Sequence, residues 1–330
     1  MKDTWPVLAC MAALLVGLAL THTAVAAPWG PLTAWPWIVA LLVFGMPHGA
    51  ADWAVHQAER RHRGRSLGLP SFTGYLLVMA IAAAALAFAP ILTVTGFFVL
   101  TAFHFGMADA THALGSPRST VRRSRAVWWA LGISRGTLVL AVPFAIDPER
   151  AWLPFALLTQ TGLDDLYLPV AALQAVSGLA AAALVITLIM AAVCIPPRAW
   201  RQPRHWFIVE SVAAVALLAL TPPLFAVGAY FLCIHAPKHT LRLAGLTRWI
   251  TPHHPTAPRT ASLLTRLRHV HRESLPLWPL SIAIILAWAW LLPDGLAATS
   301  LAAASIGFYI VTTLPHHLLG TRLPDVASPC

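Results

Sequence analysis

Two histidines four residues apart, His235 and His239, lie in the apolar stretch YFLCIHAPKHTL. On a helix, positions i and i+4 lie on the same face, so both imidazoles can reach one metal ion. Ionisable side chains at membrane depth are costly and mark functional sites. The same spacing also occurs in a plain pair of histidines at a helix end among lipid headgroups. The other histidines of the chain decide between these two interpretations.

Three further apolar stretches carry histidine near their carboxyl ends. They read FGMPHGAADWAVH, TAFHFGMADATH and TTLPHHLLG, with histidines at His48, His104, His316 and His317. The first two also hold an acidic residue, Asp52 and Asp109 respectively. Histidines scattered through a core would not share one depth, whereas these all precede a basic segment or the end of the last apolar stretch. The pattern therefore indicates one layer of nitrogen donors.

Neutral imidazoles converging from several helices, with few carboxylates, favour Fe(II), Cu, Ni or Zn over Mg or Ca. The strongest candidate ligands are His48, His104, His235 and His239. Each has a glycine or proline nearby, and such residues let helices approach closely or bend. We interpret Asp52 and Asp109 as carboxylates that accept the far N–H of a ligating imidazole, or else as helix-end groups facing water. His316 is a candidate fifth ligand, a group behind a ligand, or a base lining the site.

The composition indicates a membrane protein. Of the 330 residues, 58% are hydrophobic and only 10% are charged, whereas about a quarter of the residues of a soluble domain are charged. The formal net charge of +10 does not indicate a nucleic-acid partner, because the basic residues lie in short segments that orient a protein in the bilayer. The sequence predicts an all-α, polytopic transmembrane bundle that forms one domain, 1–330, in the cell inner membrane.

Ten apolar segments have the roughly 20 residues that a helix needs to cross a bilayer. They are 5–26, 35–56, 72–89, 91–110, 126–146, 166–195, 205–221, 222–241, 275–293 and 296–318. Segments after even-numbered spans are rich in arginine, whereas those after odd-numbered spans hold one basic residue, Arg150. The positive-inside rule then predicts that both termini are cytoplasmic. The first span could instead be a signal peptide; we favour a retained helix.

The segment 242–274 is predicted to be a basic cytoplasmic loop with solvated histidines. Arg135 and Glu210 both lie within predicted spans, and the sequence predicts that they form an ion pair. The four cysteines form no CxxC, so neither a disulfide framework nor a thiolate metal site is indicated.

The blocks GMPHGAAD, FHFGMAD, YFLCIHAPKH and LPHH, in this order and at these spacings, resemble the Brp/Blh family of β-carotene 15,15′-dioxygenases. The resemblance implies a membrane-embedded, non-haem iron enzyme that cleaves the central double bond of β-carotene with O2 to give two retinals. It carries the Fe(2+) ligands over onto His48, His104, His235 and His239. It also implies a carotenoid drawn from membrane lipid and an opsin that accepts retinal.

The chain departs from the family pattern at three places. HGAAD replaces the more usual HGALD, Ile234 stands where tryptophan is common, and Lys238 stands where arginine is frequent. These changes spare the ligands and bear on which carotenoid is bound. Aromatic residues near the ligands are candidates for lining a polyene tunnel, or for plain packing; they are Trp53, Phe103, Phe105, Tyr230, Phe231 and Phe308.

Two other functions use histidines within membrane helices. A di-iron desaturase or hydroxylase needs several HxxxH and HxxHH boxes, whereas this chain has one HxxxH and no HxxHH. A transporter of metal or haem could use His48 and His104 as an axial pair. Its site would open to water on both sides, yet the outer halves of the even-numbered spans hold few polar residues beyond threonine and tryptophan.

Overall fold

The computed structural model describes residues 5–22, 31–62, 64–65, 68–114, 122–162, 164–166, 170–195, 204–245 and 263–320. The regular structure in these ranges is helical, as predicted. The helices are α1 Trp5–His22, α2 Pro31–Ala40, α3 Met46–Ala50, α4 Asp52–His62, α5 Leu69–Phe88, α6 Pro90–Leu114, α7 Arg122–Ile146, α8 Pro148–Thr159, α9 Val170–Cys194, α10 Arg204–Leu220, α11 Pro223–Tyr230, α12 Ala236–Gly245, α13 Leu263–Ser274, α14 Trp278–Leu291 and α15 Ala298–Gly320.

Within the described ranges, four helical segments are long and apolar enough to cross a membrane. They are Pro90–Leu114, Arg125–Ile146, Gln174–Cys194 and Ala298–Gly320. Shorter apolar helices occupy Trp5–Leu20, Phe72–Phe88 and Trp278–Leu291. The prediction of an all-α fold is confirmed for the described residues, and the four candidate spans agree with a membrane protein. The count of ten spans and the cytoplasmic placement of both termini stay predictions.

Two of the predicted spans, 35–56 and 222–241, are not continuous α-helices. Each contains a π-helical turn, Leu41–Gly45 in the first and Phe231–His235 in the second. A proline stands two residues after each turn, at Pro47 and Pro237. Proline cannot donate the helical N–H bond and its ring clashes with the preceding turn, which accounts for the widened backbone there. Both turns lie beside predicted ligands, where π-turns are frequent.

Two segments predicted as loops contain helices. The segment 147–165, which is predicted to lie outside, holds α8, whose first turn is capped by the Asp147 side chain accepting from the Arg150 N–H at 3.1 Å. The basic segment 242–274 holds α13, whose Val270 is buried while Arg268 and Arg272 are exposed. Hydropathy identifies neither helix, because a short helix with a charged face lacks the apolar length that marks a membrane span.

The close approach of α6 and α7 fixes the helix that carries His104. A Cβ atom added to Gly106 would overlap the Gly132 carbonyl, and one added to Gly136 would overlap the Ala102 carbonyl. Small residues at such positions let two backbones touch. Helix α7 also packs along α9, and α15 packs against α5, α6, α8 and α14. The histidine-bearing helices therefore meet inside a bundle.

Candidate metal centre

Three imidazoles from three helices converge inside the bundle: His104 from α6, His239 from α12 and His316 from α15. One nitrogen of each lies within 4.8 Å of the others. The ring centroids are 5.3 Å apart for His104 and His316, 5.4 Å for His239 and His316, and 6.0 Å for His104 and His239. Three neutral nitrogen donors at such spacing can face a single ion.

A carboxylate orients His316. Its Nδ1 lies 2.9 and 2.8 Å from the two oxygens of Asp52, and the Tyr75 hydroxyl donates to the same carboxylate at 2.7 Å. An ionised carboxylate can only accept hydrogen bonds, so Nδ1 of His316 carries the proton. Its Nε2 then holds the lone pair that a metal requires. The arrangement matches the carboxylate–histidine–metal pattern.

A second histidine orients His104. The Nδ1 atoms of His104 and His317 are 3.3 Å apart, so one of them donates and the other accepts. This contact fixes the orientation of one side of the His104 ring. The sequence places His317 in the histidine layer and predicts no separate role for it; the signal for such a role is the PHH doublet.

The other two predicted ligands, His235 and His48, are not among the three converging imidazoles. His235 is 1% exposed, and its ring centroid lies 5.3 Å from that of His104, but it is not one of the three whose nitrogens converge. Its ring packs against that of Phe105, with 4.1 Å between the centroids and 40° between the ring planes. His48 belongs to α3, and its side chain lies outside the described part of the chain. The described cluster therefore holds two of the four predicted ligands together with His316.

Asp109 has no imidazole among its described hydrogen-bond partners, contrary to the expectation. Its carboxylate accepts from Arg135 Nε at 3.0 Å and from the Tyr230 hydroxyl at 2.8 Å, and Lys238 Nζ lies at 3.4 Å. The physical reason is helical phase, because residues five apart, such as His104 and Asp109, point about 140° away from each other.

Four charges form a fully buried cluster, which we name the charge quartet: Asp109, Arg135, Glu210 and Lys238. Glu210 Oε1 accepts from Arg135 at 3.0 Å and from Lys238 at 2.7 Å. The exposed fractions are 0% for both acids, 1% for Arg135 and 3% for Lys238. The predicted Arg135–Glu210 ion pair is confirmed. Two acids and two bases make the quartet neutral, which a buried set of charges requires.

An apolar cavity of about 660 Å³ adjoins the histidines and is lined by His104, His235 and His316. This volume is in the range of small-molecule sites. Four of the aromatic residues predicted to line a tunnel do line it; they are Trp53, Phe105, Phe231 and Phe308. The other two lie outside its wall. Tyr230 turns its hydroxyl to Asp109, and Phe103 packs on Trp129 and His317.

The donor set fits a divalent transition metal. The converging atoms are imidazole nitrogens, and the nearby carboxylate of Asp52 is engaged by His316 and Tyr75. Such a set suits Fe(II), Cu, Ni or Zn and not Mg or Ca, which prefer oxygen. Fe(II) is compatible with these residues.

Comparison with known proteins points in one direction. The family model described as beta-carotene 15,15′-dioxygenase matches residues 39–324. The chain is also 27% identical over 322 residues to the probable beta-carotene 15,15′-dioxygenase Blh of Halobacterium salinarum. That alignment covers 94% of this chain and 88% of the relative. No solved structure matches the chain.

Proposed function

The chain belongs to the β-carotene 15,15′-dioxygenase family, and on that premise we propose that it cleaves β-carotene, or a close carotenoid, with O2 at the central double bond to give retinal. The observation that carries the proposal is the cluster of His104, His239 and His316 beside an aromatic-lined apolar cavity. A long polyene dissolved in lipid needs such a cavity, and oxygen chemistry needs such a cluster.

The proposed cofactor is Fe(2+), held by His104, His239 and His316, with His235 and His48 as the remaining candidate ligands. When bound, Fe(2+) would supply the activation of O2 that cleavage of the double bond requires. The residues of the chain position and shield it. Asp52 holds the Nδ1 proton of His316, His317 holds one side of the His104 ring, and the apolar wall keeps water away.

The apolar helices support a place in the cell inner membrane, and the arginine alternation supports ten spans with both termini cytoplasmic. The carotenoid would then come from the bilayer. Retinal would be released into the same lipid, where an opsin could accept it.

The test is expression in a β-carotene-producing bacterium. We expect loss of the orange colour and retinal as the product by chromatography, with His104→Ala in the same host as the control that stays orange. If the wild-type protein is present in the membrane with bound iron and no retinal forms, the proposal is wrong.

A further inference from the structure

The wall of the cavity includes residues that are exposed at the protein surface. Most of its described residues are buried or half-buried, and five are exposed; they are Leu76, Arg150, Pro276, Leu280 and Ile284. A residue that lines a cavity and is also exposed marks an opening. Four of the five are apolar: Leu76 lies on α5, Leu280 and Ile284 lie on α14, and Pro276 lies just before α14. The fifth, Arg150, forms an ion pair with Asp147 at 3.2 Å.

We propose that the gap between α5 and α14 is a lateral opening through which the carotenoid passes between the bilayer and the cavity. This inference rests on the proposed function. Both helices are apolar, and both pack against α15, which carries His316. A hydrocarbon polyene remains in contact with apolar groups as it moves from lipid through an apolar opening. An entrance beside Arg150 would instead bring the polyene against a charged side chain and displace its solvation, which is costly.

The chain offers matched pairs for a test. Ile284 and Leu286 lie on α14 and are equally exposed, at 43%, but only Ile284 lines the cavity. On α5, Leu76 lines the cavity and its neighbour Leu77 does not. Tryptophan at Ile284 or Leu76 would narrow the opening, whereas tryptophan at Leu286 or Leu77 adds the same bulk outside the cavity wall.

The experiment measures carotenoid uptake without turnover. The iron-loaded protein in nanodiscs is mixed anaerobically with vesicles that contain β-carotene, and protein-bound carotenoid is followed by absorbance. We expect Ile284→Trp and Leu76→Trp to slow uptake about tenfold, with Leu286→Trp, Leu77→Trp and the iron content unchanged. Equal rates for the members of each pair would overturn the opening, as would slowing by Arg150→Trp alone. Failure of the wild-type protein to take up β-carotene would instead contradict the proposed function.

A different observation concerns Thr101, which lines the cavity one helical turn before His104. Seven other described threonines donate their hydroxyl to the carbonyl four residues earlier; they are Thr93, Thr95, Thr159, Thr221, Thr240, Thr312 and Thr313. Thr101 is 5% exposed, and its Oγ1 has no hydrogen-bond partner among the described residues. A buried hydroxyl without a partner is costly.

We infer that the Thr101 hydroxyl donates to the aldehyde oxygen of retinal. β-Carotene has no oxygen, so the hydroxyl gains its partner only when an oxygen-bearing ligand is in the cavity. Thr101 would then be a binding residue that distinguishes the product of the proposed reaction from its substrate.

The test compares two ligands under anaerobic conditions. Thr101→Val keeps the shape of the side chain, and we expect it to weaken retinal binding about three- to tenfold while β-carotene binding is kept. Thr101→Ser should restore retinal affinity. Thr93→Val, on the same helix but outside the cavity wall and with its hydroxyl donating to the Ala89 backbone carbonyl, should leave retinal binding within about twofold. Equal losses for both ligands, or no loss for either, would contradict the inference; a wild-type protein that binds neither would contradict the proposed function.

Discussion

The adjacent histidines His316 and His317 act on different parts of one cluster. Neighbouring positions on a helix point about 100° apart, so both rings cannot face the same ion. His316 contributes a nitrogen to the convergent group, while Nδ1 of His317 lies 3.3 Å from Nδ1 of His104. The doublet therefore supplies both a candidate ligand and the group that orients another.

His316→Ala tests its place among the ligands. We expect bound iron and retinal yield to fall nearly as far as in His104→Ala or His239→Ala, because each variant removes one donor from the same site. Pairs of these changes should cost little more than single ones, since residues acting as a unit are not additive. Iron per protein and retinal yield in detergent are the measurements, with His205→Ala on α10 as the control. If the His316→Ala protein binds as much iron as the wild type, His316 is not a ligand.

Asp52 and Asp109 should respond differently to the same substitution. Asp52→Asn replaces the acceptor of the His316 proton and should weaken iron retention or turnover about 10–100-fold, while the protein stays folded. Asp109→Asn removes a charge from the quartet and should lower thermal stability instead. The midpoint of thermal unfolding and the iron content of each variant separate the two effects. If Asp52→Asn keeps the iron content and activity of the wild type, Asp52 is only a helix-end carboxylate and does not support His316.

At the scale of the elements, the α6–α7 contact should tolerate no side chain. Gly106→Ala places a methyl group where the Gly132 carbonyl lies, and overpacking of this kind costs about 1–3 kcal/mol or more. Because Gly106 is two residues from His104, we also expect reduced iron binding. Gly96→Ala on the same helix has nothing within 4 Å of the new atom and is the control. Equal melting temperatures for the two variants would show that the helices are free to separate.

The charge quartet should depend on balance more than on any one pair. Lys238→Met leaves a buried negative charge uncompensated, and breaking a buried pair in this way costs about 3–5 kcal/mol. Adding Glu210→Gln restores neutrality, since Asp109 and Arg135 remain paired at 3.0 Å. We expect the double variant to be more stable than Lys238→Met alone, as measured by thermal unfolding. A double variant less stable than either single one would contradict the role of neutrality.

The helices and much of the candidate site were predictable from the sequence, and particular residues show which contacts were not. The Arg135–Glu210 pair was predictable because charges within apolar spans need partners. The partners of Asp109 were not, since nearness in sequence to His104 hid a phase difference of about 140°. The π-turns before Pro47 and Pro237 keep the same apolar composition as α-helix, so hydropathy does not reveal them. The alignment of His316 with His104 depends on packing between α15 and α6, which no local pattern contains.

For the whole molecule, the topology can be tested at the two ends of α7. Arg122 begins this helix and Asp147 follows its end, and the segment Arg125–Ile146 is long and apolar enough to span the bilayer. Reporter fusions at Arg122 and Asp147 should report the cytoplasm and the outside, respectively. The same compartment for both would contradict the ten-span topology with cytoplasmic termini.

The order of the charge quartet along the chain has a consequence for biosynthesis. Asp109, Arg135, Glu210 and Lys238 alternate in sign and come from α6, α7, α10 and α12. Inserting one charge at the centre of a helix costs about 2.5–3.5 kcal/mol on insertion scales. Because α7 follows α6 directly, the two helices can insert together as a hairpin. The hairpin carries the neutral pair of Asp109 and Arg135, whereas either helix alone would carry one unpaired charge. The nascent chain can therefore insert into lipid as two neutral pairs, first Asp109 with Arg135 and then Glu210 with Lys238. In each pair the acid is synthesised before the base that neutralises it.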